Sequence, residues 1–323
     1  MISLAIIGLG AWGETLVRSV QGKSNKVQFT MTVSRSPDRL QSVAKELGVC
    51  VAPTLEHVLS DASLDGIVLA TPHSLHADQI RSCVAAGKPV FVEKPFTLNH
   101  ASALSALADV PADQIVAAGH NRRFLPSVIA LKSAIDRGDL GQILHIECNF
   151  SGNVASKYNV DQWRVAPKES PAGGMAGAGI HMLDLMIHLV APIREVFAMS
   201  RRQVLTVPMD DTTYAMFTLE GGAGAVLSTI MASVPTFRAQ VFGTKGAAEL
   251  RGSESLEFTM LDGKIDHLKF PPTDIERAEL EAFADAISGV APYPISRPDI
   301  LNGVAAFEAV GVSAAEERKV LLA

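Results

Sequence analysis

Residues Leu4 to Gly13 read Leu-Ala-Ile-Ile-Gly-Leu-Gly-Ala-Trp-Gly, an apolar run that delivers three glycines before a helical stretch from Glu14 to Val20. This spacing suits the holding of a pyrophosphate. Gly8 permits a tight turn, Gly10 lets an anion approach the backbone without a Cβ in the way, and Gly13 lets the helix pack closely on its strand. Leu9, Ala11 and Trp12 complete the loop, and the N–H groups at the helix start then face the anion. A glycine-rich turn without a ligand would carry the same letters, but a strand before it and a helix after it favour a dinucleotide.

Two more polar stretches follow apolar runs: Thr71-Pro72-His73-Ser74-Leu75-His76 and Glu93-Lys94-Pro95. Open α/β sheets bind ligands at the carboxyl ends of their strands. Thr71, Pro72, His73, His76, Glu93 and Lys94 are therefore expected at the coenzyme. An ammonium beside a nicotinamide can hydrogen-bond a substrate oxygen and stabilise the charge that develops during hydride transfer. Lys94 is placed for that work; a lysine simply leaving a strand toward water is the plainer alternative. In an NAD site the second strand ends in Asp or Glu, which binds the ribose diol. Here it ends Val33-Ser34-Arg35-Ser36. A carboxylate would repel a 2′-phosphate, whereas Arg35 with Ser34 and Ser36 can bind one through charge-assisted hydrogen bonds, so NADP is expected, with NAD possible. Ser36 can also serve as the N-cap of the next helix.

The elements that must position these groups alternate. Strands are expected at Leu4 to Ile7, Val27 to Val33, Gly66 to Ala70, Pro89 to Val92 and Ile115 to Ala118. Helices fit between them: one opens at Ser36-Pro37-Asp38 and stops at Gly48, another runs from about Leu75 to Ala86. That order predicts a doubly wound parallel sheet. After Phe124 the pattern changes. A helix from Pro126 to Arg137 precedes strands at Ile143 to Phe150, Glu195 to Ser200, Thr212 to Glu220 and Ala225 to Met231, too close for crossover helices, so mostly antiparallel pairing follows. Gly221-Gly222 reads as a hairpin turn. Residues 1–120 are expected to form a dinucleotide-binding domain and 121–323 an α+β domain for substrate and oligomerisation. The tail, Ala278 to Ile287 and then Asp299 to Ala315, is expected to return to helix and pack back on the first domain.

Bulk properties narrow the partners. With 323 residues, 48% hydrophobic, 19% charged and a formal net charge of −6, the chain suits two domains and offers no basic footprint for nucleic acid or anionic lipid. Cys50, Cys83 and Cys148 are scattered and match neither a disulfide framework nor a zinc site. Met1-Ile2-Ser3 lacks the basic start of a signal peptide, and the apolar segment Ala178 to Ile193 carries His181, Asp184 and His188. A cytoplasmic protein with a small-molecule substrate is expected.

In the second half, the long irregular stretch Asn153 to Gly174 has the length of a binding loop. It carries Trp163-Arg164, whose indole can cover a sugar C–H face while the guanidinium holds a hydroxyl or carboxylate; the pair can equally anchor the loop. Asn121 and Arg122, just past a strand end, can contact substrate or bridge the domains. His181, Asp184 and His188 share a helix face. Seven residues at about 1.5 Å each place the two histidines roughly 10 Å apart, too far for one metal ion, so no metal is expected.

Taken together, the glycine triplet, Thr71-Pro72 with His76, Glu93-Lys94-Pro95, Asn121-Arg122-Arg123-Phe124, Gly179-Ile180-His181-Met182-Leu183-Asp184, Gly243-Thr244-Lys245-Gly246 and Arg297-Pro298-Asp299 resemble the Gfo/Idh/MocA oxidoreductase family. The resemblance implies a Rossmann domain followed by a domain with a large open sheet, a homo-oligomer, and NAD(P)-dependent chemistry on sugars, polyols and related alcohols. It implies that Lys94 is catalytic and that His181 is its proton-transfer partner. The family pattern places an aspartate four residues before that histidine; here the position is Gly177. Two other readings therefore stay open: a coenzyme-binding sensor without turnover, and an enzyme that uses transient hydride transfer for elimination or epimerisation.

Overall fold

The computed structural model describes residues 1–33 and 37–322. They divide into two compact units, one built from residues 1–97, 101–121 and 274–296, the other from 98–100, 122–273 and 297 onward. Strands β1 (Ile2–Ile7), β2 (Val27–Val33), β3 (Cys50–Ala52), β4 (Gly66–Leu69), β5 (Val90–Glu93) and β6 (Val116–Gly119) give the first unit a parallel sheet ordered β3-β2-β1-β4-β5-β6. Between them run α1 (Ala11–Val20), α2 (Pro37–Leu47), α3 (Leu55–Ser60), α4 (His76–Ala85) and α5 (His100–Leu107). The order reverses direction between β1 and β4, which is where such sheets open a crevice for a ligand. Five of the six strands match the expected runs. The sixth, β3, is three residues long with Cys50 and Val51 exposed, so no apolar pattern announces it.

In the second unit, β7 (Ile143–Ser151), β8 (Ile193–Arg201), β9 (Thr212–Leu219), β10 (Gly224–Ile230), β11 (Thr236–Gly243), β12 (Gly246–Arg251), β13 (Ser255–Met260), β14 (Ile265–Lys269) and β15 (Val320–Leu321) form one sheet. Its order is β14-β13-β12-β11-β7-β10-β9-β8-β15. Neighbours are antiparallel except β7 and β10. Gly221 and Gly222, at φ of 80° and 93°, turn β9 into β10 as the sequence predicts. Helices α6 (Pro126–Asp136) and α7 (Gly179–Leu189) belong here, and α7 is buried nearly all round against β7, β10 and α9 (Arg297–Glu316).

A single cut at residue 120 does not describe this division. Helix α8 (Ile275–Ile287) belongs to the first unit: Leu280 and Phe283 have no exposed surface, and the Phe283 ring lies 5.8 Å from that of Phe91 on β5. Arg277 Nε donates to the Ser19 carbonyl at 2.9 Å, closing α8 onto the end of α1. The last helix, α9, lies along β8 within the second unit.

The stretch 153–174 has no long element, yet it is seated. Ala155 and Val165 are buried with Ala178, Val207, Met209 and Met231, and Tyr158 packs on the same cluster. No helix among the described residues is long and apolar enough to cross a membrane.

One buried ion cluster pins α7. Arg123 donates from Nε and Nη2 to the Asp184 carboxylate at 3.0 and 2.7 Å, and from Nη1 to Asp299 of α9 at 2.9 Å. The Arg123 and Asp184 side chains are 3% and 4% exposed, so solvent screens this pair little. Removing Asp184 leaves the buried guanidinium with the Asp299 contact from Nη1, its Nε and Nη2 donors losing their carboxylate. Asp184→Ala is expected to destabilise the chain by about 3–5 kcal/mol, read from urea unfolding followed by circular dichroism.

Candidate active site

The glycine loop is dictated by backbone crowding. Gly8 sits at φ 99°, and a Cβ there would come within 2.7 Å of the Ala70 carbonyl oxygen at the end of β4. A Cβ on Gly13 would run into the carbonyl oxygen of Gly8. Gly10 is different: a Cβ there would meet nothing within 4 Å, so this glycine lines open space at the start of α1. No side chain caps that helix end, and its first N–H groups have no intrahelical acceptors. The loop thus fits a phosphate approaching at Gly10. Leu9 is 3% exposed, so its side chain serves the core while its backbone serves the loop.

The ends of β1, β4 and β5 are aligned, Ile7 pairing with Leu69 and Leu69 with Val92. Gly8 and the Glu93-Lys94 turn therefore stand two strands apart on one sheet edge, roughly 10 Å by the usual strand spacing. Thr71 donates from its hydroxyl to Gln79 Oε1 at 2.6 Å. His73 and His76 are buried, their rings edge-on at 5.9 Å. Lys94 is half-buried and precedes Pro95 through a cis peptide bond. Beside it Glu93 is 5% exposed, and its Oε2 accepts from the Lys94 N–H at 3.2 Å. Burial lifts the Glu93 carboxyl to about 7, although the neighbouring Lys94 charge and Trp12 indole favour its ionised form; the Glu276 charge adds to the rise. Glu93 Oε1 and Trp12 Nε1 are buried and make no hydrogen bond of normal geometry.

Asn121, expected at the substrate, directs its Nδ2 to Glu276 Oε1 of α8 at 3.1 Å. Glu276 is a residue the sequence reading missed. Its only local signal is an acid in the first turn of a helix capped by Asp274. Ser34, Arg35 and Ser36, the residues expected to choose between coenzymes, lie outside the described residues.

In the second unit Phe150 of β7 and Phe237 of β11 are register partners, their rings 5.4 Å apart and near perpendicular. The Arg122 guanidinium lies 5.3 Å from the first ring and 5.5 Å from the second. His181 of α7 is 5% exposed, its ring 5.7 Å from Phe150. The structure therefore brings Arg122 and His181 to one aromatic platform. Trp163 and Arg164 pair with each other, the guanidinium 4.3 Å over the indole, on a turn held by buried Val165. Asp184 and His188 have other work. Asp184 binds Arg123, and burial with the Arg123 charge pulls the His188 imidazole down to about 4, a neutral histidine at ordinary pH. A Cβ at Gly177 would find its nearest neighbours at 3.8 Å, so crowding does not exclude a side chain there.

Two family models match this chain. Residues 2–120 match the oxidoreductase family with an NAD-binding Rossmann fold, GFO_IDH_MocA, and residues 128–249 match the GFO/IDH/MocA C-terminal domain. The chain belongs to the Gfo/Idh/MocA family. Its relatives include inositol 2-dehydrogenase of Rhizobium meliloti (strain 1021), 25% identical over all of this chain and 99% of that one. Two solved structures share the fold over nearly the whole chain. Levoglucosan dehydrogenase in complex with NADH and levoglucosan superposes with a TM-score of 0.89 at 18% identity, covering 99% of each chain. The WlbA dehydrogenase from Bordetella pertussis, in complex with NADH and UDP-GlcNAcA, superposes with a TM-score of 0.86 at 20% identity, covering 100% of this chain and 98% of that one. This Gfo/Idh/MocA protein is thus an oxidoreductase with a Rossmann unit for a nicotinamide coenzyme.

Glu93 gives this site a pH signature. Its folded value lies above the ordinary 4.5, so the protonated carboxyl supports the fold fully below that pH and the support is lost as pH rises through 7. Glu93→Gln, neutral throughout, should gain in Tm relative to wild type between about pH 5 and pH 8. A Tm difference that stays flat across that range in scanning fluorimetry would contradict the assignment.

Proposed function

We propose that this chain is an NADP-preferring oxidoreductase that moves a hydride between the nicotinamide and a CH–OH group of a sugar, polyol or related small hydroxylated compound. The observation that carries the reading is the sheet edge on which the glycine loop and Lys94 stand two strands apart, with Gly10 open to a phosphate. The relatives named for inositol and levoglucosan support the substrate class.

The bound coenzyme supplies or accepts the hydride. Lys94 holds the substrate oxygen and its ammonium polarises it, and His181 or a linked water takes or returns the hydroxyl proton. Arg122, held against two aromatic faces, presents a fixed guanidinium to a hydroxyl or carboxylate, and Trp163 with Arg164 offers a second contact. Thr71, Pro72 and His73 line the coenzyme side at the end of β4. The open face of the second sheet carries Phe197, Met199, Met216 and Val226 with Tyr214 45% exposed, and we assign it to a second copy of this chain.

Gly177 favours one competing reading, a coenzyme-binding sensor without turnover, because a glycine can neither orient an imidazole nor raise its basicity. Incubation with NADP and a panel of sugars and polyols, read as nicotinamide absorbance, separates the two. Lys94→Ala is expected to lower kcat by about 10²- to 10⁴-fold with NADPH binding near normal; near-wild-type turnover would remove the lysine from the mechanism.

In the sequence, Ser34-Arg35-Ser36 follow β2, at the position where an NAD site would carry an acid. NADPH is therefore expected to bind at least about tenfold more tightly than NADH, roughly 1.4 kcal/mol. Equal dissociation constants in a fluorescence titration would overturn that preference.

A further inference from the structure

His76 opens α4, and its side chain has no exposed surface. Its Nδ1 lies 2.9 Å from the carbonyl oxygen of Pro95, and its Nε2 lies 3.1 Å from the carbonyl oxygen of Thr71. Carbonyl oxygens only accept, whereas a neutral imidazole carries a single N–H. A neutral ring in this position would aim a lone pair at one carbonyl, away from water, and leave that oxygen unsatisfied at a cost. An imidazolium donates along both directions, and each bond is then charge-assisted.

The two carbonyls belong to different turns. Thr71 follows β4 and Pro95 follows β5, two adjacent parallel strands. Pro95 is bonded directly to Lys94, and on the other side the Lys94 N–H donates to Glu93 Oε2. The lysine backbone is thereby held at its own N–H by the preceding side chain and one peptide further on by the His76 ring.

We infer that His76 is a positioning residue: as an imidazolium donating to Thr71 and Pro95, it ties the turn after β4 to the turn after β5 and fixes the backbone from which Lys94 reaches the substrate. The inference rests on the reading of Lys94 as the residue that holds the substrate oxygen. It moves His76 from the coenzyme contacts, where its sequence position places it, to the support behind them. A misplacement of about 1 Å in a catalytic group is enough to cost roughly 10²-fold in rate, so a clamp one peptide from the lysine has leverage on kcat.

The test has two arms on the full chain. In wild type labelled with ¹⁵N-histidine, both His76 ring nitrogens are expected to show a one-bond N–H coupling. A single protonated nitrogen overturns the inference, and this measurement alone decides if the variant below does not fold. In His76→Gln, which retains one donor group, kcat is expected to fall about 10- to 100-fold while the Kd for NADPH stays within about twofold. Weakened NADPH binding with unchanged kcat would make His76 a coenzyme contact and overturn the inference, as would an unchanged enzyme. The two readings fail separately. Wild-type turnover in Lys94→Ala sinks the lysine reading, whereas an inactive Lys94→Ala beside a His76→Gln of wild-type kcat sinks the inference alone.

Discussion

The backbone approach between Gly8 and Gly13 sets the geometry of the first unit. With no Cβ on either residue, β1 passes into α1 so tightly that the helix begins beside the Gly8 carbonyl, and the turn itself lies against Ala70 at the end of β4. That contact is between main chains, so no side-chain substitution elsewhere can restore it once a Cβ is added. It places the uncapped helix end next to the strands whose turns carry Thr71 and Lys94. The glycine loop, Thr71 and Lys94 then share one sheet edge as a consequence of register, with little required of the loops.

Much of this was legible in the sequence because it depends on local rules. Glycines that only glycine can satisfy, apolar runs of strand length and Pro37 at the start of a helix each announce themselves within a few residues. What escaped depends on distant partners. Strand β14 pairs at the sheet edge with most of its residues exposed, so Ile265 to Lys269 shows no buried face to read. Helix α8 is legible as a helix returning to the first domain, but nothing in its letters names Phe91, almost two hundred positions earlier, as the neighbour of Phe283. The candidate site divides the same way. Lys94 follows from its strand end, whereas the direction of the His76 ring and the arrival of Glu276 beside Asn121 need the folded chain.

The second unit uses charge and aromatic surface in separate places. Arg123 is enclosed by two carboxylates and serves α7 and α9, while its neighbour Arg122 lies against Phe150 and Phe237. Adjacent arginines of identical chemistry thus take different roles because successive residues of the turn point different ways. The space beside Gly177 belongs to the same region: at the helix entrance before His181 a Cβ would meet only ordinary contacts, so crowding does not require glycine there.

The assignment of α8 to the first unit bears on how the polypeptide matures on the ribosome. Leu280, Phe283 and Ala284 belong to the same buried cluster as Leu4, Ile6 and Phe91. The core of the first unit therefore stays open on one side until Leu280, Phe283 and Ala284 have been made, after strands β7 to β14. Most of the large mixed sheet emerges before that moment, so the order of completion along the nascent chain runs against the usual amino-terminal-first sequence.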